Sequence, residues 1–177
     1  MSWCNLSGYR NARNVAALAP SLKSMASLKH LTLNHNDLGA KGMRSLSASL
    51  PSLTSLQTLS LYSNDLGDRG ASELATSLGS LSGSLTSLNL GLNDIGTDGI
   101  QALAPVIGSL TGLKRLSLCS CDLSSGGARA LAPSLAALTR LTALDLGSGS
   151  LGEQGLRELT DALCGLKELT QIDLRCG

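Results

Sequence analysis

The chain repeats itself along almost its whole length. Leu28-Lys-His-Leu31-Thr-Leu33-Asn-His-Asn36-Asp-Leu38-Gly39 returns as Leu56-Gln-Thr-Leu59-Ser-Leu61-Tyr-Ser-Asn64-Asp-Leu66-Gly67. It returns again from Leu85, Leu113 and Leu141, and a partial copy starts at Leu169. The intervals are 28, 29, 28, 28 and 28 residues, with the extra residue in the Ser82–Ser84 stretch. Each copy has two halves of different period. The L-x-x-L-x-L half ends in alternating apolar residues, which predicts a strand with one buried face. The second half spaces its apolar residues as a helix does, for example Ala71, Leu74, Ala75 and Leu78. One such strand–helix unit cannot enclose a core, but stacked copies can. Parallel strands sit about 4.8 Å apart, whereas packed helices need roughly 8–10 Å. That mismatch should curve the stack, strands inside and helices outside.

Composition agrees with a thin, layered core. Leucine supplies 40 of the 177 residues, while there is no Phe, one Trp and two Tyr, too few aromatics to fill a thick round interior. Only 15% of residues are charged and the formal net charge is +1, so nothing in the charge balance draws the chain to nucleic acid or to a membrane surface. Solubility must rest on Ser, Thr, Asn and Gly. No apolar run approaches the length of a membrane span, and Met1–Leu6 has no secretory h-region. The five cysteines, Cys4, Cys119, Cys121, Cys164 and Cys176, are an odd number in no zinc-site spacing, which reads as reduced thiols in a cytoplasmic setting, the nucleus not excluded.

The repeat resembles the leucine-rich repeat family, whose motif is L-x-x-L-x-L-x-x-(N/C)-x-L. The match runs over Leu28–Leu38, Leu56–Leu66, Leu85–Ile95 and Leu113–Leu123, the last with Cys121 in the Asn/Cys slot. The long period is similar to the intracellular ribonuclease-inhibitor-like subtype. This resemblance implies one α/β solenoid domain over 1–177: a horseshoe with a concave parallel sheet and convex helices. The units are a partial repeat 1–27, full repeats 28–55, 56–84, 85–112, 113–140 and 141–168, and a partial repeat 169–177. It implies a non-catalytic protein-binding scaffold or adaptor, or a subunit of a larger assembly, with a protein partner and no cofactor. The alternatives the resemblance leaves open are a small-GTPase regulator, as Ran GTPase-activating proteins have a similar repeat type, and a fragment of an innate-immune sensor.

Departures from the pattern carry their own expectations. The turn slot reads Asn36, Asn64, Asn93, Cys121 and then Gly149. An Asn there can satisfy turn backbone groups of successive copies, and Cys is a weaker substitute. The ladder should therefore be loosest around Gly147–Ser150. Pro20, Pro105 and Pro133 fall at equivalent places and each removes a helix donor, so their helices should be short or distorted in the last turn. In the first copy, Cys4-Asn5-Leu6 aligns with Cys121-Asp122-Leu123, which puts Met1 at a strand leucine and about four extra residues near Gly8–Asn11. The chain thus reads as starting and stopping inside strands, with open ends that frayed copies leave bare or another chain covers.

Catalytic and metal chemistry find little support. Pairing Cys119 with His35 would span about three coils, ~14 Å at the strand spacing, beyond nucleophile–base contact. Cys119-x-Cys121 offers two metal ligands, short of a site. Asp94-x-Gly96-x-Asp98-Gly99 is like the start of a calcium loop, but Pro105 stands where a bidentate Glu is needed. Ser124-Ser-Gly-Gly127 lacks the lysine of a phosphate-binding loop. What remains is a surface. The inward strand residues include His30, Asn34, Tyr62, Asn89, Arg115, Asp145, Asp173 and Arg175, with Trp3, His35 and Leu92 at the rim. Trp, Tyr and Arg tend to carry interface energy, so Trp3, Tyr62, Arg115 and Arg175 lead these candidates.

Overall fold

The computed structural model describes residues 3–7, 12–147 and 150–175. Within them the chain alternates short strands and helices. The strands are β1 Trp3–Asn5, β2 His30–Thr32, β3 Thr58–Ser60, β4 Ser87–Asn89, β5 Arg115–Ser117, β6 Ala143–Asp145 and β7 Gln171–Asp173. They form one parallel sheet in sequence order. The helices are α1 Ala12–Leu22, α2 Gly39–Ser47, α3 Gly67–Leu78, α4 Thr97–Ser109, α5 Ser125–Ala137 and α6 Gly152–Gly165, with 3-10 turns at Leu50–Ser52 and Gly79–Leu81. Each helix packs on its sequence neighbours, so sheet and helix row are two layers of one solenoid.

The core between the layers is aliphatic throughout the described residues. In one repeat Leu28, Leu31, Leu33, Leu38, Met43, Leu46, Leu50 and Leu53 are all inaccessible to solvent or nearly so. Leu59, Leu88, Leu116 and Leu144 stack on Leu31 at the same strand position. The extra residue of the longest interval is taken up at Ser82–Ser84, where Ser82 and Gly83 are exposed and Leu85 returns to the core.

The turn slot works as the spacing predicts. The Asn64 side-chain Nδ2 donates to the carbonyls of Leu33 (2.8 Å) and Leu61 (2.9 Å). Asn93 Nδ2 does the same to Leu61 (2.9 Å) and Leu90 (2.8 Å). The amide oxygens reach the other way: Asn64 Oδ1 accepts from the Asn36 N–H (3.1 Å), and Asn93 Oδ1 from the Asn64 N–H (2.9 Å). All three Asn are fully buried. Cys121 continues the column with only a long contact, Sγ to the Leu90 carbonyl at 3.9 Å. Ser148 and Gly149, at the centre of the stretch expected to be loosest, lie outside the described residues.

Burial of Cys121 pushes its thiol pKa up to about 12, chiefly through desolvation of the thiolate. The unfolded chain ionises near 9, so above that pH the unfolded state binds fewer protons than the folded one. Stability is then full below pH 9 and falls as pH rises toward 12. Between pH 8 and 10.5 Cys121 alone should cost the fold about 2 kcal/mol. Urea titrations at both pH values, on the wild type and on Cys121→Ala, check this: the alanine variant should lose most of the excess pH slope.

Two expectations are corrected. α1, α4 and α5 contain Pro20, Pro105 and Pro133 yet span 11, 13 and 13 residues, against 9, 12 and 14 for α2, α3 and α6. The prolines do not shorten them. Each proline is on the exposed side, and Gln101 and Arg129, whose carbonyls lose a donor, are exposed residues that water can serve. The carbonyls just before two of these prolines are bonded sideways, Ala104 from Ser134 Oγ (2.6 Å) and Ala19 from Ser49 Oγ (2.7 Å). The first repeat also has a different frame. Cys4 pairs with Leu31 in the strand, not with the turn slot of Asn36 and Cys121. Cys4 takes the apolar strand centre, and the Leu6 N–H bonds the Thr32 carbonyl at 2.9 Å. Met1 and Gly8–Asn11, which the other alignment invoked, lie outside the described residues.

Candidate functional site

The parallel register sets the concave side chains in rows across the strands. One row is Trp3, His30, Thr58, Ser87, Arg115, Ala143 and Gln171. The next is Asn5, Thr32, Ser60, Asn89, Ser117, Asp145 and Asp173. A third, beyond the strand ends, holds Asn34, Tyr62, Gly91, Cys119, Gly147 and Arg175. Backbone bonds of 2.8–3.0 Å from His35 to Tyr62, Ser63 to Gly91, Leu92 to Cys119 and Ser120 to Gly147 extend the pairing there. Trp3 therefore stands in the first row, on β1 beside His30, and its placement at the rim is corrected. The cause is the shifted frame of the first repeat.

Several candidate residues brace the sheet. Asn34 Oδ1 accepts from Ser60 Oγ (2.7 Å) and from the Tyr62 N–H (3.1 Å). Asn89 Oδ1 accepts the Gly91 N–H at 3.0 Å. Asp145 accepts from Ser117 Oγ (2.9 Å) through one oxygen and from the Gly147 N–H (3.1 Å) through the other. Asp173 is gripped by Arg175, whose guanidinium and backbone N–H donate to it. Those hydrogen bonds hold the Asp173 carboxyl down at about 2. Asn, Asp and Ser side chains commonly fix backbone in this way.

The aromatic candidates gather toward the N-terminal strands. The Trp3 and His30 rings stack with centroids 4.5 Å apart, and Trp3 is 63% exposed. His30 Nδ1 lies 3.1 Å from Thr58 Oγ1. The His35 ring meets the edge of Tyr62 at 5.4 Å. One strand over, directly after Gly91, is Leu92, 42% exposed and held at φ +53°. Gly91 lies between Tyr62 and Cys119: a Cβ built on it would come within 2.4 Å of the Cys119 sulfur and 3.2 Å of the Tyr62 ring. Glycine here is a packing requirement, since both neighbours lean into the space.

The charged candidates gather toward the C-terminal strands. Ser87, Asn89, Arg115, Ser117, Ala143, Asp145, Gln171 and Asp173 line an open recess of about 270 Å³. Its floor is made of short side chains, Ser87 and Ala143 on either side of Arg115 and Ser117 beyond it. The site thus divides into two parts. Tyr62 and Arg115 are two strands apart and four residues apart along the strand direction, roughly 16 Å at the strand spacing and rise. Sequence reasoning missed Gly91 as the partner of Tyr62 and Cys119, and the small residues that leave Arg115 standing clear. The alternation of large and small residues along one row was the readable signal.

Burial raises the Cys119 thiol pKa, against thiolate formation, and Ser117 Oγ donates toward its sulfur at 3.5 Å. Cys121 is buried in the turn column while Cys119 is on the concave face. Among the described residues no three His, Cys, Asp or Glu side chains are grouped to hold a metal ion. At the calcium-like segment, the Asp68 carboxylate from the preceding repeat accepts the N–H groups of Gly96 (2.7 Å) and Gly99 (2.9 Å). This closes the start of α4, and a Cβ on Gly99 would fall 2.7 Å from that carboxylate. The segment is a helix cap.

Comparison with known proteins agrees with this geometry. The sequence model of the family described as Leucine Rich repeat matches residues 24–47, 52–75 and 83–104. No curated protein matches the chain. Among solved structures, the tropomodulin C-terminal domain of Caenorhabditis elegans superposes with a TM-score of 0.69 at 14% identity, covering 89% of this chain and 93% of that one. A structure described as Leiomodin-1 Actin-Binding Site 2 superposes with a TM-score of 0.66 at 19% identity, covering 86% of this chain and 87% of that one. The repeat matches and these two likenesses together make the fold an α/β leucine-rich-repeat solenoid.

Proposed function

We propose that the chain is a non-catalytic protein-binding scaffold or adaptor that offers its concave sheet to a protein partner inside the cell. The observation that carries this reading is the division of labour on that sheet. Asn34, Asn89, Asp145 and Asp173 are tied into the backbone, Asn34 and Asp145 also across to a neighbouring repeat, while Trp3, Leu92 and Arg115 stand exposed on the wall they hold. A wall already ordered loses little conformational freedom on binding, and Trp and Arg are residue types that concentrate interface energy. The 28–29-residue period and a helix on the outer side of each full repeat favour the ribonuclease-inhibitor-like subtype. The odd cysteine count, with a thiol buried in an Asn slot, favours a reducing compartment.

The test is affinity capture from native lysate with three baits. These are the wild type, the concave variant Tyr62→Ala/Arg115→Ala/Arg175→Ala, and the convex variant Arg44→Ala/Arg129→Ala. A discrete protein held by the wild type and the convex variant, and lost from the concave one, is the expected result. A partner kept by the concave variant and lost from the convex one would move the site to the helices and sink the reading. The leiomodin-1 likeness brings in actin as one partner to assay; co-pelleting with actin filaments, lost in the concave variant, is the result that would attach it to this face.

A further inference from the structure

We infer that Arg115 is a docking point for a carboxylate side chain of the protein partner, delivered by a segment whose apolar residue rests on Tyr62 and Leu92. This rests on the reading that the concave sheet binds protein. Seven arginines have described side chains, and of these Arg69, Arg115 and Arg140 make no ion pair, Arg115 alone standing on the concave face. Arg44, Arg129, Arg157 and Arg175 each hold a carboxylate: Glu73, Glu158, Glu153 and Asp173 respectively. Arg115 holds none, although it stands in a recess with two. Asp173 is turned onto Arg175, and Asp145 is turned onto Ser117 Oγ and the Gly147 N–H. Both acidic groups thus stay in the wall. The row neighbours Ser87 and Ala143 are too short to cover the guanidinium. Arg115 is left as the one cation of the described concave face without an ion pair, above a recess of about 270 Å³ that has room for a side chain.

The charge complement of such a site is a carboxylate, which can take the guanidinium through two parallel hydrogen bonds. The rest of the partner follows from the rows. Tyr62, with its ring packed over Gly91, and the exposed Leu92 one strand nearer form an apolar step; Tyr62 is two strands across and four residues along from Arg115, roughly 16 Å. On a helix, residues eleven apart lie about 16.5 Å apart on one face. A helical segment with Asp or Glu at one position and an apolar side chain eleven residues away spans both parts.

The experiment selects peptides from a random phage-displayed library on the immobilised full chain. The enriched peptides are then measured by fluorescence anisotropy against the wild type, Arg115→Gln, Arg115→Lys, Tyr62→Ala and the convex control Arg129→Gln. The expected result is enrichment of Asp or Glu at an eleven-residue spacing from an apolar residue. Arg115→Gln should weaken binding about tenfold or more and flatten its salt dependence, Arg115→Lys should recover part of the loss, and Arg129→Gln should change nothing. Peptides weakened by Tyr62→Ala but indifferent to Arg115→Gln would overturn the inference and leave the concave reading standing. Peptides indifferent to both would overturn the concave reading itself. A selection that enriches basic peptides, or none, overturns the inference as well.

Discussion

Replacing Leu90 by alanine should cost the fold about 2–5 kcal/mol, enough to unfold much of the array at ambient temperature. Leu90 follows β4 directly, is fully buried, and belongs to a core in which each repeat is sealed by its two neighbours. A cavity there weakens its own repeat and both interfaces, and in a stacked array these contributions add. Leu174 holds the equivalent place after β7, but it is only partly buried, and Ile172 beside it is 44% exposed where its counterpart Leu144 is 1% exposed. Leu174→Ala should cost less than about 1 kcal/mol, because the lost transfer term scales with the area covered. Urea titrations followed by circular dichroism compare the two. Equal destabilisation would mean that the last strand is packed as tightly as the middle ones.

Asn93→Ala should rank next, at about 2–4 kcal/mol. The change removes the donor that serves the carbonyls of Leu61, Leu90 and Gly91, and the acceptor for the Asn64 N–H. Asn93 is fully buried, so its partners are left in a dry interior, where each unmet group costs roughly 1–3 kcal/mol. Asn93→Asp keeps the acceptor but not the donor and should recover only part of the stability. Asn93→Cys should fall between alanine and the wild type, because Cys121 fills the same slot one repeat later. Thermal melts of the three variants settle the order; an alanine variant as stable as the wild type would show that the column is not structural.

The architecture was legible because the repeat imposes two periods at once, and stacking the copies buries both the strand leucines and the helix stripe. The Asn column was legible for a similar reason, since Asn36, Asn64 and Asn93 recur at one offset beside a turn. The failures share a different cause: they depend on contacts between repeats. The frame of the first copy was misread because Cys4 resembles Cys121 in type while occupying the place of Leu31. The prolines suggested short helices because the rule concerns an isolated helix, whereas here the carbonyls of Gln101 and Arg129 face water and those just before Pro20 and Pro105 take a hydroxyl from the next repeat. At the candidate site the residue types were readable but their freedom was not. Asn34 and Arg115 both point inward, and only the positions of Ser60, Tyr62, Ser87 and Ala143 decide that the first is occupied and the second available.

The direction of the Asn hydrogen bonds bears on synthesis. The oxygen that completes the Asn36 turn comes from Asn64, and the one that completes the Asn64 turn comes from Asn93. Both of these loops are closed by the repeat that follows. On a ribosome the chain emerges N-terminus first, so each of these two turns waits, its amide unmet, until roughly one further period has left the exit tunnel. Growth of this part of the solenoid is thereby paced from its C-terminal side.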